Sequence, residues 1–145
     1  MASISRNHRF NATASANESM ITSTNNPKDV VVGQHLIEAP GLPLTAGAVY
    51  SARMRDDMLF TGISDYAYTG HSYGSYRKTD PDYSNPSYSV VNMSLGLTRG
   101  RQQIAIFARN PLNDRTVIQS PQINTVVEGY TVHPRVVGLS IRLLF

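Results

Sequence analysis

Apolar and polar residues alternate with a period of two over six stretches of the chain, the mark of extended strands with one wet and one dry side. The last stretch, Arg135 to Phe145, shows it most plainly: Val137, Leu139, Ile141, Leu143 and Phe145 fall on one face, and Gly138, Ser140 and Arg142 on the other. Over His8 to Asn17, Phe10, Ala12, Ala14 and Ala16 oppose Arg9, Asn11, Thr13 and Ser15; over Tyr88 to Arg99, Val91, Met93, Leu95 and Leu97 oppose Asn92, Ser94, Gly96 and Thr98. Two stretches carry exceptions, Leu44 to Met54 through Val49 and Leu59 to Thr69 through Ile63 and Ser64. The stretch Gln102 to Asn110 is apolar on both faces, so its orientation stays open. Each is about 9 to 11 residues long, the reach a tilted strand needs to cross a bilayer, whereas strands of soluble domains peak near 5 to 6. A soluble sandwich would alternate too, so periodicity alone leaves both readings standing.

The connections separate them. Arg55-Asp56-Asp57 and Gly100-Arg101 are tight polar turns, whereas Glu18 to Pro43, Gly70 to Ser87 and Pro111 to Pro134 are long and rich in Pro, Gly, Asn, Ser and Tyr. Long and short connections alternate strictly, as in outer-membrane barrels with short turns on one side and long loops on the other. Structureless loops beyond about 12 to 15 residues are uncommon in compact domains, which counts against a small soluble fold. The expectation is an all-β chain forming an antiparallel transmembrane β-barrel segment of about six strands. The aromatics Tyr66, Tyr68, Phe60 and Phe145 then fall near the two rims, where interfacial girdles sit.

Composition narrows the field. Charged residues make up 16% and hydrophobic ones 41%, with Ser, Thr, Asn and Gly filling the difference, a mixture suited to short-period strands and many turns. No apolar run approaches the ~18 residues of a spanning helix, and the first thirteen residues lack the apolar core of a secretory leader. The chain has no Cys, which excludes disulfides and thiolate metal sites. A net charge of +3, with Lys and Arg scattered along the sequence, gives no basis for a nucleic-acid partner.

Several stretches in order resemble the C-terminal part of a TonB-dependent outer-membrane receptor: Gly33-Gln-His-Leu-Ile-Glu-Ala-Pro40, Asp65-Tyr-Ala-Tyr-Thr-Gly70, Tyr88-Ser-Val-Val-Asn92, Phe107-Ala-Arg-Asn-Pro-Leu-Asn-Asp-Arg115, and the ending with Pro134-Arg135, Gly138 and Phe145. Pro111 and Thr116 depart from that pattern. The resemblance covers nearly all of residues 1–145. It implies a barrel of about 22 strands with a plugged lumen, of which this chain supplies about six, without the plug or the segment that contacts TonB. The expected function is that of a receptor and transporter fragment in the bacterial outer membrane. The full-length parent would capture a siderophore, vitamin or saccharide and import it with TonB-coupled energy. The resemblance also implies that Gly138, Leu139, Ile141, Leu143 and Phe145 form a signal read by the barrel-assembly machinery. Two other readings remain: a small autonomous porin-like or structural barrel, and a soluble lipocalin-like binding module.

Candidate chemistry is sparse. His8, His35, His71 and His133 lie far apart with no partner at metal-ligand spacing, and no catalytic constellation or cofactor motif is present, so neither enzyme nor metal site is expected. Tyr73, Tyr76, Arg77, Lys78 and Tyr83 form an aromatic and basic mixture in one long loop, suited to a small anionic or sugar-like ligand. Arg53, Asp65, Asn92 and Arg142 fall on the polar faces and would face the lumen. There they avoid the roughly 2 to 4 kcal/mol that Arg costs against lipid at midplane.

Overall fold

The computed structural model describes residues 6–80, 83–119, 122–123, 126–127 and 129–143. Six long strands form one antiparallel sheet: β1 (Arg6–Ala14), β2 (Pro43–Arg53), β3 (Met58–Thr69), β6 (Tyr88–Arg99), β7 (Gln102–Arg109) and β12 (Val136–Leu143). They pair in the order β1-β2-β3-β6-β7-β12, so each is hydrogen-bonded to its neighbours along the chain and β1 and β12 are the two edges. Three two-stranded ribbons lie in the long connections: β4 (Ser72–Tyr73) with β5 (Ser84–Asn85), β8 (Val117–Gln119) with β11 (Tyr130–Thr131), and β9 (Gln122–Ile123) with β10 (Val126–Val127). The chain is all-β with an open six-stranded sheet.

Register turns the alternation into faces. Phe10, Ala48, Ser64, Met93, Ala108 and Val137 make one cross-strand row, and His8, Tyr50, Gly62, Leu95, Ile106 and Leu139 the next. Arg6, Ala52, Phe60, Leu97, Ile104 and Ile141 make the third. One apolar face thus runs across all six strands. The strand left open by its composition is oriented by its neighbours: Ile104 and Ile106 sit opposite Leu97 and Leu95 on one side and Ile141 and Leu139 on the other. Phe107 consequently points to the polar face, where its ring lies over Gly138; a Cβ there would come within 2.5 Å of the ring. Two of the three exceptions in the pattern, Val49 and Ile63, are directly opposed on that polar face, in the row that holds Phe107.

The strand expected over 8–17 runs instead over Arg6–Ala14. Its partner β2 begins at Pro43, which has no N–H to give, and beyond Ala14 only Ser15 N–H to Pro43 O (3.2 Å) and Asn17 N–H to Gly41 O (2.8 Å) continue the pairing. At the other end β1 extends to Arg6 because Ala52 is still in register with it. The turns behave as their residues dictate. Asp56 and Asp57 both adopt positive φ (60° and 54°), a conformation Asp tolerates better than most residues. Gly100 takes φ 56° at the first central position of the two-residue β6–β7 turn, as a type II′ hairpin requires.

The sheet has no second layer among the described residues. Among the described residues, Ala52 and Val132 are the buried hydrophobic ones, and no large side chain is fully enclosed. The chain exposes 10873 Å², against about 7,400 Å² expected of a compact monomer of this mass. Phe10 is 76% exposed and Leu139 62%. Ten such side chains on the apolar face, each worth about 1.5 to 3 kcal/mol when buried, represent roughly 8 to 15 kcal/mol at half burial, the size of a whole domain's net stability.

Candidate functional site

Sheet order places the three long connections (15–42, 70–87 and 110–135) at one end and both tight turns at the other. At the loop end the connections are tied together. The first folds back as a ragged hairpin through Gly33 N–H to Ile21 O and Ile21 N–H to Gln34 O (both 2.8 Å), the reversal helped by Gly33 at φ 91°. It then meets the second: Ile37 bridges Tyr73, and Glu38 N–H donates to Tyr73 O at 2.7 Å. The Gln34 side-chain amide donates to Tyr76 O at 2.9 Å, and Arg77 pairs with Asp29. The third connection joins through Gln119, whose amide donates to Glu38.

Tyr73 is the hub of this junction. Its ring stacks on His35 (5.3 Å between centroids, 11° between planes) and meets His71 edge-on at 4.9 Å and Tyr83 at 5.2 Å. Beside it lies a pocket of about 210 Å³ lined by Gln34, His35, Tyr73, Ser75, Tyr76, Lys78 and Tyr83, together with Gly33. Four of the five residues expected to bind ligand therefore converge. The fifth, Arg77, is held away from the pocket by Asp29, and its guanidinium, with help from Asn26, keeps the Asp29 carboxyl below its usual range. Gln34 and His35 were missed by sequence reasoning because they come from the other loop. Gln34 accepts from Val31 N–H as well as donating to Tyr76, so the groups left to a ligand are the three phenols, the His35 ring and the Lys78 ammonium.

A second knot closes the final loop. Asn110, 3% exposed and at φ 45°, donates from its amide to Asp114 O (2.8 Å) and His133 O (2.7 Å) while its carbonyl accepts from Asp114 N–H (3.0 Å). One side chain thus joins both ends of the loop. The Asp114 carboxylate accepts from the Thr116 hydroxyl (2.6 Å) and Thr116 N–H (2.8 Å), which lower its pKa.

Arg53, Asp65, Asn92 and Arg142 share the polar face, as expected from parity. Asp65 sits directly opposite Asn92, and Asn92 opposite Arg109, a charged neighbour that the ambiguous fifth stretch concealed. Leu139, Ile141 and Leu143 lie exposed on the apolar face, and Gly138 lies under the Phe107 ring. Phe145 lies outside the described residues. Among the described residues no three His, Asp or Glu side chains gather where they could hold a metal ion.

The tight-turn end differs in charge. Arginines that are scattered in sequence, Arg6, Arg53, Arg55, Arg99, Arg101 and Arg142, all come to this end, with Asp56 and Asp57 as the acids of its turns. All six are exposed and, among the described residues, none is in an ion pair. Compared with family models, curated proteins and solved structures, the chain finds no match.

Proposed function

We propose that this sheet is an arc of a transmembrane β-barrel in the bacterial outer membrane, in a receptor of the TonB-dependent kind that captures a small ligand with its long loops and passes it inward. The observation that carries the reading is the apolar face, continuous across six strands and bare of any packing layer among the described residues. In hydrocarbon such a face is at home, and the polar face with Asp65, Asn92 and Arg109 meets a water-filled or plugged lumen. The two open edges require partner strands, because unpaired backbone groups cost several kcal/mol each in lipid. A longer receptor supplies those strands, together with the parts that engage TonB; the C-terminal strand is the element offered to the barrel-assembly machinery. The loop pocket around Tyr73, with phenols, an imidazole and one ammonium, suits a small ligand carrying hydroxyls or negative charge.

The test is insertion. After envelope fractionation the chain is expected in the detergent-soluble outer-membrane fraction, and release by plain buffer would sink the proposal. The faces are checked on the same material: Leu139→Arg is expected to cost about 2 to 4 kcal/mol of folding stability in lipid and Ser140→Arg far less. Equal costs would mean that the apolar face does not meet hydrocarbon.

A further inference from the structure

The turn end of the apolar face carries a cleft that the receptor reading leaves unused. It measures about 580 Å³, and its floor is formed by Tyr50, Met54, Met58 and Phe60, with Arg6 and Arg55 at its margin. Tyr50 and Phe60 meet edge-to-face at 6.0 Å, and Met54 is half exposed, so the floor is apolar and accessible. Arg53 lines it as well, and the turn end as a whole carries six arginines against two aspartates. The long connections are the reverse, holding seven acidic and five basic residues.

We propose that this cleft seats an anionic phospholipid of the turn-side leaflet, its phosphate against Arg6 and Arg55 and the upper part of an acyl chain over Tyr50 and Phe60. The inference rests on the membrane reading above. A purely polar anion would leave the apolar floor wet, and an uncharged hydrocarbon would leave the arginines without a counter-charge; an anionic lipid answers both. A zwitterionic lipid brings its own cation to a rim that is already positive. Asp56 and Asp57 sit beside Arg55 in the turn and restrain the local charge without cancelling it.

The chain, within the longer receptor that supplies its edge strands, is folded into vesicles containing phosphatidylglycerol and phosphatidylcholine with matched acyl chains. The vesicles are floated to confirm insertion, and lipid retained after detergent extraction is measured by native mass spectrometry. Retention is expected to favour phosphatidylglycerol. Arg6→Gln and Arg55→Gln are each expected to reduce that preference about fivefold, the worth of one basic residue at an anionic membrane surface. Lys28→Gln, in the first long loop, is expected to leave it unchanged. Equal retention of both lipids, or an unaltered preference in the Arg6→Gln/Arg55→Gln double variant, overturns the lipid site while leaving the barrel reading intact. Failure to float with vesicles of either composition overturns both.

Discussion

The two ends of the sheet are built on different principles. At the turn end the chain reverses within a few residues, and backbone conformation decides everything: Asp56, Asp57 and Gly100 at positive φ, with Met54 N–H to Met58 O (2.7 Å) closing one turn. At the loop end the chain has room to wander and is recaptured by side chains: Tyr73 among three rings, Gln34 between Val31 and Tyr76, Asn110 bridging both ends of its loop. A short connection stores its information in φ and ψ, whereas a long one stores it in polar pairings between residues distant in sequence. The first kind of end is insensitive to most side-chain changes and intolerant of wrong backbone preferences; the second is the reverse.

The largest expected effect that would break this contrast is at Asn110. Asn110→Asp keeps the shape but turns two donors into acceptors facing the Asp114 and His133 carbonyls. A loss of about 3 kcal/mol is expected in denaturant unfolding of the folded protein, each orphaned buried group costing about 1 to 3. At the turn end, Gly100→Val forces a β-branched residue into φ 56°, for an expected loss of about 1 to 2 kcal/mol in the same assay. Smaller and of opposite sign, Asp57→Gly relieves a left-handed residue against the greater entropy of a glycine chain, a net gain of about 0.5 kcal/mol. A loss there would show that the Asp57 side chain, not its backbone, shapes the turn.

The smallest effect concerns acid. Asp29 has its folded pKa lowered by the hydrogen bond and charge of Arg77, so the tie between the first two loops is fully present above the unfolded carboxylate's pKa of about 3.9 and is lost as pH falls through the lowered folded value. As pH falls through that lowered value the NMR signals of the Gln34 side-chain amide are expected to shift as this tie is released. Asp29→Asn should show the shifted spectrum at every pH.

Much of the fold was legible because a period of two translates directly into faces; Val137, Leu139 and Ile141 needed no structure to be placed together. Gln102 to Arg109 was not legible, because Ile104, Ala105, Ile106, Phe107 and Ala108 satisfy either orientation and only pairing with Leu97 and Ile141 decides between them. The pocket was half legible. Tyr73, Tyr76, Lys78 and Tyr83 lie within one loop, while Gln34 and His35 arrive through the Ile37–Tyr73 bridge, a long-range contact that carries no local signal. The arginine-rich end was hidden for the same reason: positions 6, 53, 55, 99, 101 and 142 become neighbours only when the strands are laid side by side.

The even number of strands has a further meaning. Because β1 and β12 run in opposite directions and present the same face outward, any hairpin added at either edge leaves the apolar face, the loop end and the turn end where they were. The hairpin, not the strand, is therefore the step by which such a sheet can be lengthened or shortened without turning any side chain from water to oil. Adding or losing a single strand between matched edges would bring two strands together in parallel, where the hydrogen bonds are slanted and the pairing slightly less stable.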